Sequence, residues 1–298
     1  TKRRPAFDPL IIHVSPDMDL DHFVTLNDTA RGLIHELWPG PLTLLIKKRS
    51  IISDLVTSGH ETVAVRCPAH PVAQTLIRSF GGPLVAPSAN LFGQLSPTTA
   101  EAVRGGLEDS VKLVLEGGRC DIGVESTIVN TTAPPPALPM LRLGGISPER
   151  LSALGFELSY PTPIIGQAPG TLKNHYAPKI PLYLWTAERV DPDEADYIAV
   201  SPAKQEGLAW LGWSSHRANF GGSYILSESG DSQEAAYNVF SQLRLISEAG
   251  FEGIIAELPP QGGLGGAIQD RLRRGASGFA FCHIGHYNRE EQWSLPVG

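Results

Sequence analysis

The stretch Pro83-Leu84-Val85-Ala86-Pro87-Ser88-Ala89-Asn90 ends a short apolar run in a polar, proline-punctuated loop. Its first residues have the composition of a β-strand, and Ser88 and Asn90 follow directly. Hydroxyl, amide and backbone N–H groups at the end of a strand suit phosphate or carboxylate oxygens. Ser96-Pro97-Thr98 adds two further hydroxyls shortly afterwards. The same residue types also form ordinary turns, so the stretch alone leaves both interpretations open.

Around this stretch, apolar segments alternate with segments of helical periodicity. Strands are predicted at residues 10–14, 42–47, 62–66, 84–86 and 111–115, and helices at 26–37, 71–80 and 98–104. Strands that alternate with helices favour an α/β sheet. The first 155 residues are therefore predicted to form one α/β domain.

The second half of the chain repeats this alternation after an interruption. Prolines and glycines without apolar periodicity mark residues 156–178 as a linker. Strands are then predicted at 182–185, 197–200 and 253–257, and helices at 233–248 and 267–274. Residues 179–298 are therefore predicted to form a C-terminal α/β domain.

Composition limits the classes of function. A chain of 298 residues fits two domains. Its net charge of −7 argues against a broad nucleic-acid surface, so a cationic site must be local. The three cysteines are far apart and form no metal-binding pattern, which points to a reducing cytoplasm. No apolar run reaches the roughly 18 residues that span a bilayer.

Several motifs, in their order and spacing, resemble the YrdC-like family in its long, two-domain form. They are Lys2-Arg3-Arg4-Pro5, Pro9-Leu10-Ile11-Ile12-His13, Trp38-Pro39-Gly40-Pro41-Leu42-Thr43, Thr62-Val63-Ala64-Val65-Arg66-Cys67-Pro68, Gly123-Val124-Glu125-Ser126-Thr127-Ile128 and Arg142-Leu143-Gly144. Ala168-Pro169-Gly170 and His175-Tyr176-Ala177-Pro178 resemble the linker of the long form. The resemblance implies a twisted open-sheet YrdC-like domain followed by a smaller Rossmann-like α/β domain. Family members carry a further segment before the basic motif, so we expect this chain to be incomplete at its N-terminus.

The resemblance implies threonylcarbamoyl-AMP synthase activity. Such an enzyme joins L-threonine, bicarbonate and ATP into threonylcarbamoyl-adenylate and releases pyrophosphate. The product is passed to the machinery that makes N6-threonylcarbamoyladenosine (t6A) at position 37 of tRNA. Mg²⁺ is expected with ATP because the triphosphate charge must be screened. Binding of tRNA or double-stranded RNA is a further, weaker expectation.

The reaction brings three anions together, so fixed cations and oriented donors must offset their repulsion. By resemblance, the nucleotide is expected to contact Lys2, Arg4, Thr62, Ser88, Asn90, Ser96, Arg142 and Tyr176. Lys2 supplies a point charge, while the guanidinium of Arg4 can bind two oxygens. A solvated basic tail is the alternative for this pair, and a surface charge at a strand end is the alternative for Arg142.

By resemblance, threonine is expected to contact His13, Arg66 and Ser126. Arg66 lies in an otherwise apolar strand, and a buried unpaired guanidinium is costly, so it needs an anionic partner. The alternative is a structural salt bridge. His13 ends a predicted strand, where ligands of α/β sheets gather, although a structural histidine is the alternative. No residue is assigned a catalytic role.

By resemblance, Gly170, His175 and Tyr176 belong to a linker that crosses the active site and limits its access to solvent. Such closure would protect a hydrolysable mixed anhydride. Two other segments are interpreted as structural: Trp38-Pro39-Gly40-Pro41 as a stiff turn, and Gly262-Gly263-Leu264-Gly265-Gly266 as a tight turn that starts a helix.

Two other functions remain open. A carbamoyltransferase could use the same domain on another substrate, but it would carry zinc-finger or kinase-like modules. A non-enzymatic RNA-binding module would bind in a salt-dependent way.

Overall fold

The computed structural model describes residues 2, 4–5, 8–107, 110–161, 175–185, 197–200 and 202–282. The chain divides into two compact units, one of residues 1–92 and 99–173 and the other of residues 93–98 and 174–298. The short segment 93–98 therefore belongs to the second unit although it lies in the first half of the sequence. The predicted division at 155 and 178 stays a prediction, since most of the predicted linker, including Gly170, lies outside the described residues.

The first unit is built on an eight-stranded sheet. Its strands are β1 Ile11–His13, β2 Val24–Thr25, β3 Leu42–Lys48, β4 Thr62–Arg66, β5 Leu84–Ala86, β6 Thr127–Asn130, β7 Ala137–Arg142 and β8 Glu157–Ser159. Its helices are α1 Asp28–Leu37, α2 Asp54–Thr57, α3 Pro71–Phe80, α4 Ala100–Leu107 and α5 Pro148–Ser152, with a 3₁₀ turn at Leu20–His22. The order across the sheet is β5-β1-β4-β3-β6-β7-β8, and β2 pairs with β3.

Local sequence signals explain where the helices of this unit begin and end. The side chain of Asn27 accepts a hydrogen bond from the backbone N–H of Ala30 at 2.9 Å and so caps α1. The side chain of His70 caps α3, which has a proline in its first turn. Gly81 ends α3 in the left-handed conformation, at φ 77°.

The central strands bury both faces, but unequally. The larger core packs one face of the sheet with residues such as Ile12, Leu44 and Val65. The opposite face carries a small apolar cluster of Ile11, Leu45, Ala64, Ile128 and Leu141. Because successive side chains of a strand alternate between faces, residues next to this small cluster are placed on the same face. That face holds the candidate site.

The second unit is a parallel six-stranded sheet of order β10-β14-β9-β13-β11-β12. Its strands are β9 Leu182–Trp185, β10 Tyr197–Val200, β11 Leu208–Gly212, β12 Gly222–Ile225, β13 Gly253–Glu257 and β14 Gly278–Cys282. Its helices are α6 Pro202–Gln205, α7 Ser232–Glu248 and α8 Gly265–Gly275. Every residue of β11 is buried, as expected for parallel strands covered on both faces. The α/β class predicted for both halves is confirmed, and the glycine-rich loop leads into α8 as predicted.

One predicted strand is wrong. Residues 111–115 form no strand, and the side chains of Leu113 and Leu115 are 74 % and 50 % exposed. Their apolar composition satisfied the pattern, but no neighbouring strand pairs with this segment. The strands that were not predicted are β2, β6, β7, β8, β11, β12 and β14.

The core of the first unit gives a test of its packing. Leu44 on β3 is fully buried, so Leu44→Ala should lower the free energy of unfolding by about 2–5 kcal/mol through lost contacts and a residual cavity. The measurement is urea-induced unfolding followed by circular dichroism. Leu55 is 88 % exposed, and Leu55→Ala should change stability by less than about 0.5 kcal/mol. Equal effects of the two substitutions would contradict this description of the core.

Candidate active site

Strand register aligns polar side chains in a row across the first unit's sheet. Arg66 on β4 lies opposite His13 on the parallel strand β1 and opposite Thr43 on the antiparallel strand β3. Residues opposite each other in a sheet point to the same face. The neighbouring row contains Ile11, Ala64 and Leu45, which belong to the small apolar cluster. The row of Arg66 therefore lies beside that cluster, on the face away from the larger core.

The same face extends toward the predicted nucleotide residues. Thr62 starts β4, on the same face as Arg66 and about 13 Å from it along the strand. Strand β5 runs antiparallel to β1, with Leu84 opposite His13 and Ala86 opposite Ile11. Ser88, just beyond Ala86, therefore continues toward the end of the sheet at which Thr62 lies. The strand register thus places His13 and Arg66 at one end of this sheet face, and Thr62 and Ser88 at the other end.

The basic N-terminal residues are held in the structure. The ammonium of Lys2 donates to the carbonyl oxygens of Ser88 and of Asn90, the latter at 2.5 Å. Arg4 forms an ion pair with Asp8 at 2.9 Å. Both basic side chains are partly buried, so the alternative of a solvated tail is wrong.

Burial changes the electrostatics of these groups. It lowers the pKa of Lys2 to about 8, and the charge of Arg4 lowers it further, while Asp8 acts in the opposite direction. Burial also lowers the pKa of Arg4 and raises that of Asp8, which is 5 % exposed. Sequence analysis missed Asp8, although a lone carboxylate four residues after Arg4 was a usable signal.

Arg66 is positioned by a turn that sequence analysis regarded as purely architectural. Its Nε donates to the carbonyl oxygen of Gly40 at 3.2 Å. A side chain at Gly40 would place its Cβ 2.4 Å from the carbonyl oxygen of Leu37, so the turn requires glycine. Within the described residues Arg66 forms no salt bridge, so the structural salt bridge considered as the alternative is absent there. Burial and the charge of Arg142 lower the pKa of Arg66 to about 10.

Ser126 and Arg142 form a buried polar cluster with Thr43. The Oγ1 of Thr43 lies 2.7 Å from the Oγ of Ser126. Arg142 donates through Nη2 to that Oγ and through Nε to the Ser126 carbonyl, both at 3.0 Å. Arg142 is 7 % exposed, so the alternative of a surface charge is wrong. Its place beside Ser126 puts this predicted nucleotide residue against a predicted threonine residue.

His13 is neutral at physiological pH. Its Nδ1 is buried and has no hydrogen-bond partner among the described residues. Burial lowers the pKa of His13 to about 4, and the neighbouring charge of Arg66 contributes. The imidazole therefore offers a neutral hydrogen-bonding group rather than a cation.

The other predicted residues are placed as follows. Asn90 is 5 % exposed, and its amide donates to the carbonyl of Leu91 at 2.9 Å. Ser96 belongs to the second unit, where Arg244 donates to its carbonyl at 3.4 Å. Tyr176 is buried in that unit, with ring centroids 4.1 Å from His175 and 5.5 Å from Phe240. The nucleotide contacts expected of Ser96 and Tyr176 stay predictions.

Among the described residues, no group of three or more His, Cys, Asp or Glu side chains is arranged to hold a metal ion. No helix in the described ranges is long and apolar enough to cross a bilayer.

Comparison with known proteins gives consistent results for both halves. Residues 1–144 match the Sua5/YciO/YrdC family, described as "Telomere recombination", and residues 146–277 match "Threonylcarbamoyl-AMP synthase, C-terminal domain". The threonylcarbamoyl-AMP synthase of Pyrococcus abyssi (strain GE5 / Orsay) is 35% identical over 296 residues, covering 95% of this chain and 84% of the relative. That of Bacillus subtilis (strain 168) is 34% identical over 291 residues, covering 93% and 82%. The crystal structure of P. abyssi Sua5 complexed with L-threonine has a TM-score of 0.78 at 30% identity, covering 95% of this chain and 84% of that one.

The environment of His13 predicts a pH-dependent stability. Its pKa is about 4 in the folded chain and 6.5 for an unperturbed imidazole. Between these values the unfolded chain binds the proton and the folded chain does not, so stability falls as pH drops from 6.5 toward 4. His13→Gln should remove this component, which gives a smaller fall in Tm than in the wild type between pH 7 and 4. Parallel Tm curves for the two proteins would contradict the buried, neutral state of His13.

Proposed function

The chain belongs to the threonylcarbamoyl-AMP synthase family, and we propose that it joins L-threonine, bicarbonate and ATP into threonylcarbamoyl-adenylate with release of pyrophosphate. The resemblance to the two-domain YrdC-like form is confirmed by both family matches and by relatives that cover most of the chain.

The observation that carries the proposal is the set of partly buried cations in the first unit. Lys2, Arg4 and Arg66 all have lowered pKa values, and burial is the largest cause for each. Charges held away from water are costly unless an anion compensates them. Asp8 pairs with Arg4, which leaves the positive charges in excess. Such a site is preorganised for anionic substrates.

The two ends of the sheet face suit the two substrates. At the end with Arg66, a guanidinium can bind the carboxylate of threonine, and neutral His13 and the hydroxyl of Ser126 supply hydrogen bonds. At the end with Thr62 and Ser88, the ammonium of Lys2 lies beside the loop expected to contact ATP. The separation of about 13 Å along β4 leaves room for an amino acid followed by a triphosphate.

The reaction then needs positioning more than covalent assistance. The amine of threonine attacks the carbon of bicarbonate, which loses water and leaves a carbamate. A carbamate oxygen attacks the α-phosphorus of ATP, and pyrophosphate leaves with the electrons of the broken P–O bond. Lys2 and Arg4 stabilise the negative charge on the phosphates during this transfer. No side chain is assigned as a base.

Magnesium is proposed to arrive as part of the ATP substrate. The described side chains of the site include several cations and offer no cage of carboxylates. Phosphate oxygens are suitable ligands for Mg²⁺, which commonly binds proteins through substrate phosphates. The partners expected downstream, namely the tRNA threonylcarbamoyl transfer machinery and RNA itself, stay predictions, as does the cytoplasmic location.

The rival functions are less well supported. A carbamoyltransferase on another substrate is not favoured, because residues 146–277 match the C-terminal domain of threonylcarbamoyl-AMP synthases. An RNA-binding module would need a broad basic surface, whereas this chain has a net charge of −7.

Pyrophosphate release tests the proposed function directly. Release from ATP should require threonine and bicarbonate together and should stop when either is omitted, because the carbamate must form before it attacks the phosphate. The measurement is a coupled pyrophosphate assay, with mass spectrometry to identify threonylcarbamoyl-adenylate. Arg66→Met controls for contaminating activity. Pyrophosphate release that is independent of threonine would refute the assignment.

The pKa of Lys2 predicts how ATP binding depends on pH. Lys2 is protonated below about 8 and loses its charge above it, so the KM for ATP should rise between pH 7 and 9. In Lys2→Arg the guanidinium stays charged throughout this range, so its KM for ATP should be nearly constant with pH. The comparison uses the slope of KM against pH rather than its absolute value. A rise of equal slope in both proteins would exclude Lys2 as its cause.

A further inference from the structure

Three buried groups form a short hydrogen-bonded chain at the end of the sheet face where His13 and Arg66 lie. Thr43 is 0 % exposed and Ser126 2 % exposed, and their hydroxyl oxygens are 2.7 Å apart. Arg142 donates from Nη2 to the hydroxyl oxygen of Ser126 at 3.0 Å. The direction of the bond between the two hydroxyls decides what Ser126 can offer a substrate.

The surroundings of the two hydroxyls and the substrate together bear on that direction. Its hydroxyl has one proton and two lone pairs. The hydroxyl of Ser126 is the one side-chain partner that Thr43 Oγ1 has among the described residues. Either direction leaves one buried proton without an acceptor in the described structure, that of Thr43 if Ser126 donates and that of Ser126 if Thr43 donates, and such a proton is costly. Thr43 is fully buried, whereas Ser126 is expected to contact threonine, so a substrate oxygen can accept only the proton of Ser126. Substrate binding therefore favours the arrangement in which Thr43 donates to Ser126.

The hydrogen bonds that the hydroxyl of Ser126 already makes determine what it can still offer. Its oxygen accepts one hydrogen bond from Arg142, whose guanidinium can only donate, and one from Thr43. Both lone pairs of Ser126 are then used, and its single proton is left. Within the described residues that proton has no acceptor. The hydroxyl is thereby restricted to the role of a hydrogen-bond donor.

We propose that Thr43 is a positioning residue that makes the hydroxyl of Ser126 an obligatory donor to an oxygen of the amino-acid substrate. The inference rests on the proposed function and adds to it a positioning residue and the direction of one hydrogen bond to the substrate. An obligatory donor suits a carboxylate or hydroxyl oxygen, and it cannot accept a hydrogen bond from the ammonium group. The substrate must therefore present an oxygen to Ser126, and its amine must face elsewhere.

Removing the hydroxyl of Thr43 tests the proposal. Thr43→Val keeps the shape of the side chain but frees one lone pair of Ser126, whose proton is then no longer directed to the substrate. We expect the KM and the Kd for threonine to rise about 3- to 10-fold, the scale of one hydrogen bond, with kcat nearly unchanged. Thr43→Ser keeps the hydroxyl and should restore both constants. Wild-type threonine binding by Thr43→Val in isothermal titration calorimetry would overturn the proposal.

A matched control separates positioning from general destabilisation. Thr131 is also buried, and its hydroxyl donates to the carbonyl of Leu45 at 2.9 Å, beyond the end of β6 away from Ser126. Thr131→Val should lower the Tm but leave the KM for threonine unchanged. If Thr131→Val weakens threonine binding as much as Thr43→Val does, the effect is one of stability, and the proposal is wrong.

Two further measurements complete the test. If Thr43 acts through Ser126, Thr43→Val should have no additional effect on the Kd in a Ser126→Ala background, so the two changes should be non-additive. Full additivity would overturn the proposal.

A threonine analogue without the side-chain hydroxyl identifies the bonded oxygen. If that oxygen is the side-chain hydroxyl, Thr43→Val should leave the Kd for L-2-aminobutyrate unchanged. If it is the carboxylate, both ligands should weaken equally. Failure of the wild type to bind threonine would instead refute the proposed function itself.

Discussion

The pairing register of β1, β4 and β3 is the constraint on which the candidate site depends. It places His13, Arg66 and Thr43 opposite one another. A slip of one residue would move Arg66 to the face of the larger core, where Val65 now packs. Burial of Val63 and Val65 therefore fixes the register, and the register in turn aligns the polar row. The apolar core positions the site without supplying any of its chemistry.

The same sheet face keeps the charged guanidinium of Arg66 in surroundings from which water is largely excluded. Arg66 lies in a strand whose three central residues are buried, and its one hydrogen bond in the described structure goes to the backbone of Gly40. Burial disfavours its charged form, yet its pKa stays far above neutrality, so it remains a cation. In the proposed function, the carboxylate of threonine would compensate the cost of keeping it there, because a charge-assisted bond is strong where water is scarce. The free-energy cost of the buried charge is thus higher in the empty protein than in the proposed complex with threonine.

The parts of the structure that sequence could predict are those with local causes. Strand β4 and helix α3 begin and end at the predicted residues, since alternation, a Pro at the start of the helix and Gly81 after it act within a few positions. Residues 111–115 had the right composition and no pairing partner, which no local pattern could show. Thr43 and Asp8 were missed because their importance arises from Ser126 and Arg4, groups that the fold brings to them. The resemblance named the residues that would touch substrates, but not those that orient them.

The loop of residues 87–98 is continuous in the sequence, but its two parts belong to different units of the fold. Ser88 and Asn90 are bound by Lys2 in the first unit, whereas Ser96 lies in the second, where Gln94 pairs with Ala177. Backbone bonds fix this second part of the loop, with the N–H of Ala177 donating to the carbonyl of Gly93 at 2.9 Å. The stretch from Ser88 to Ser96, which is continuous in the sequence, is therefore held in two separate units. Its proline-rich composition suits such a crossing, because the chain there must follow a set path without the support of a helix or strand.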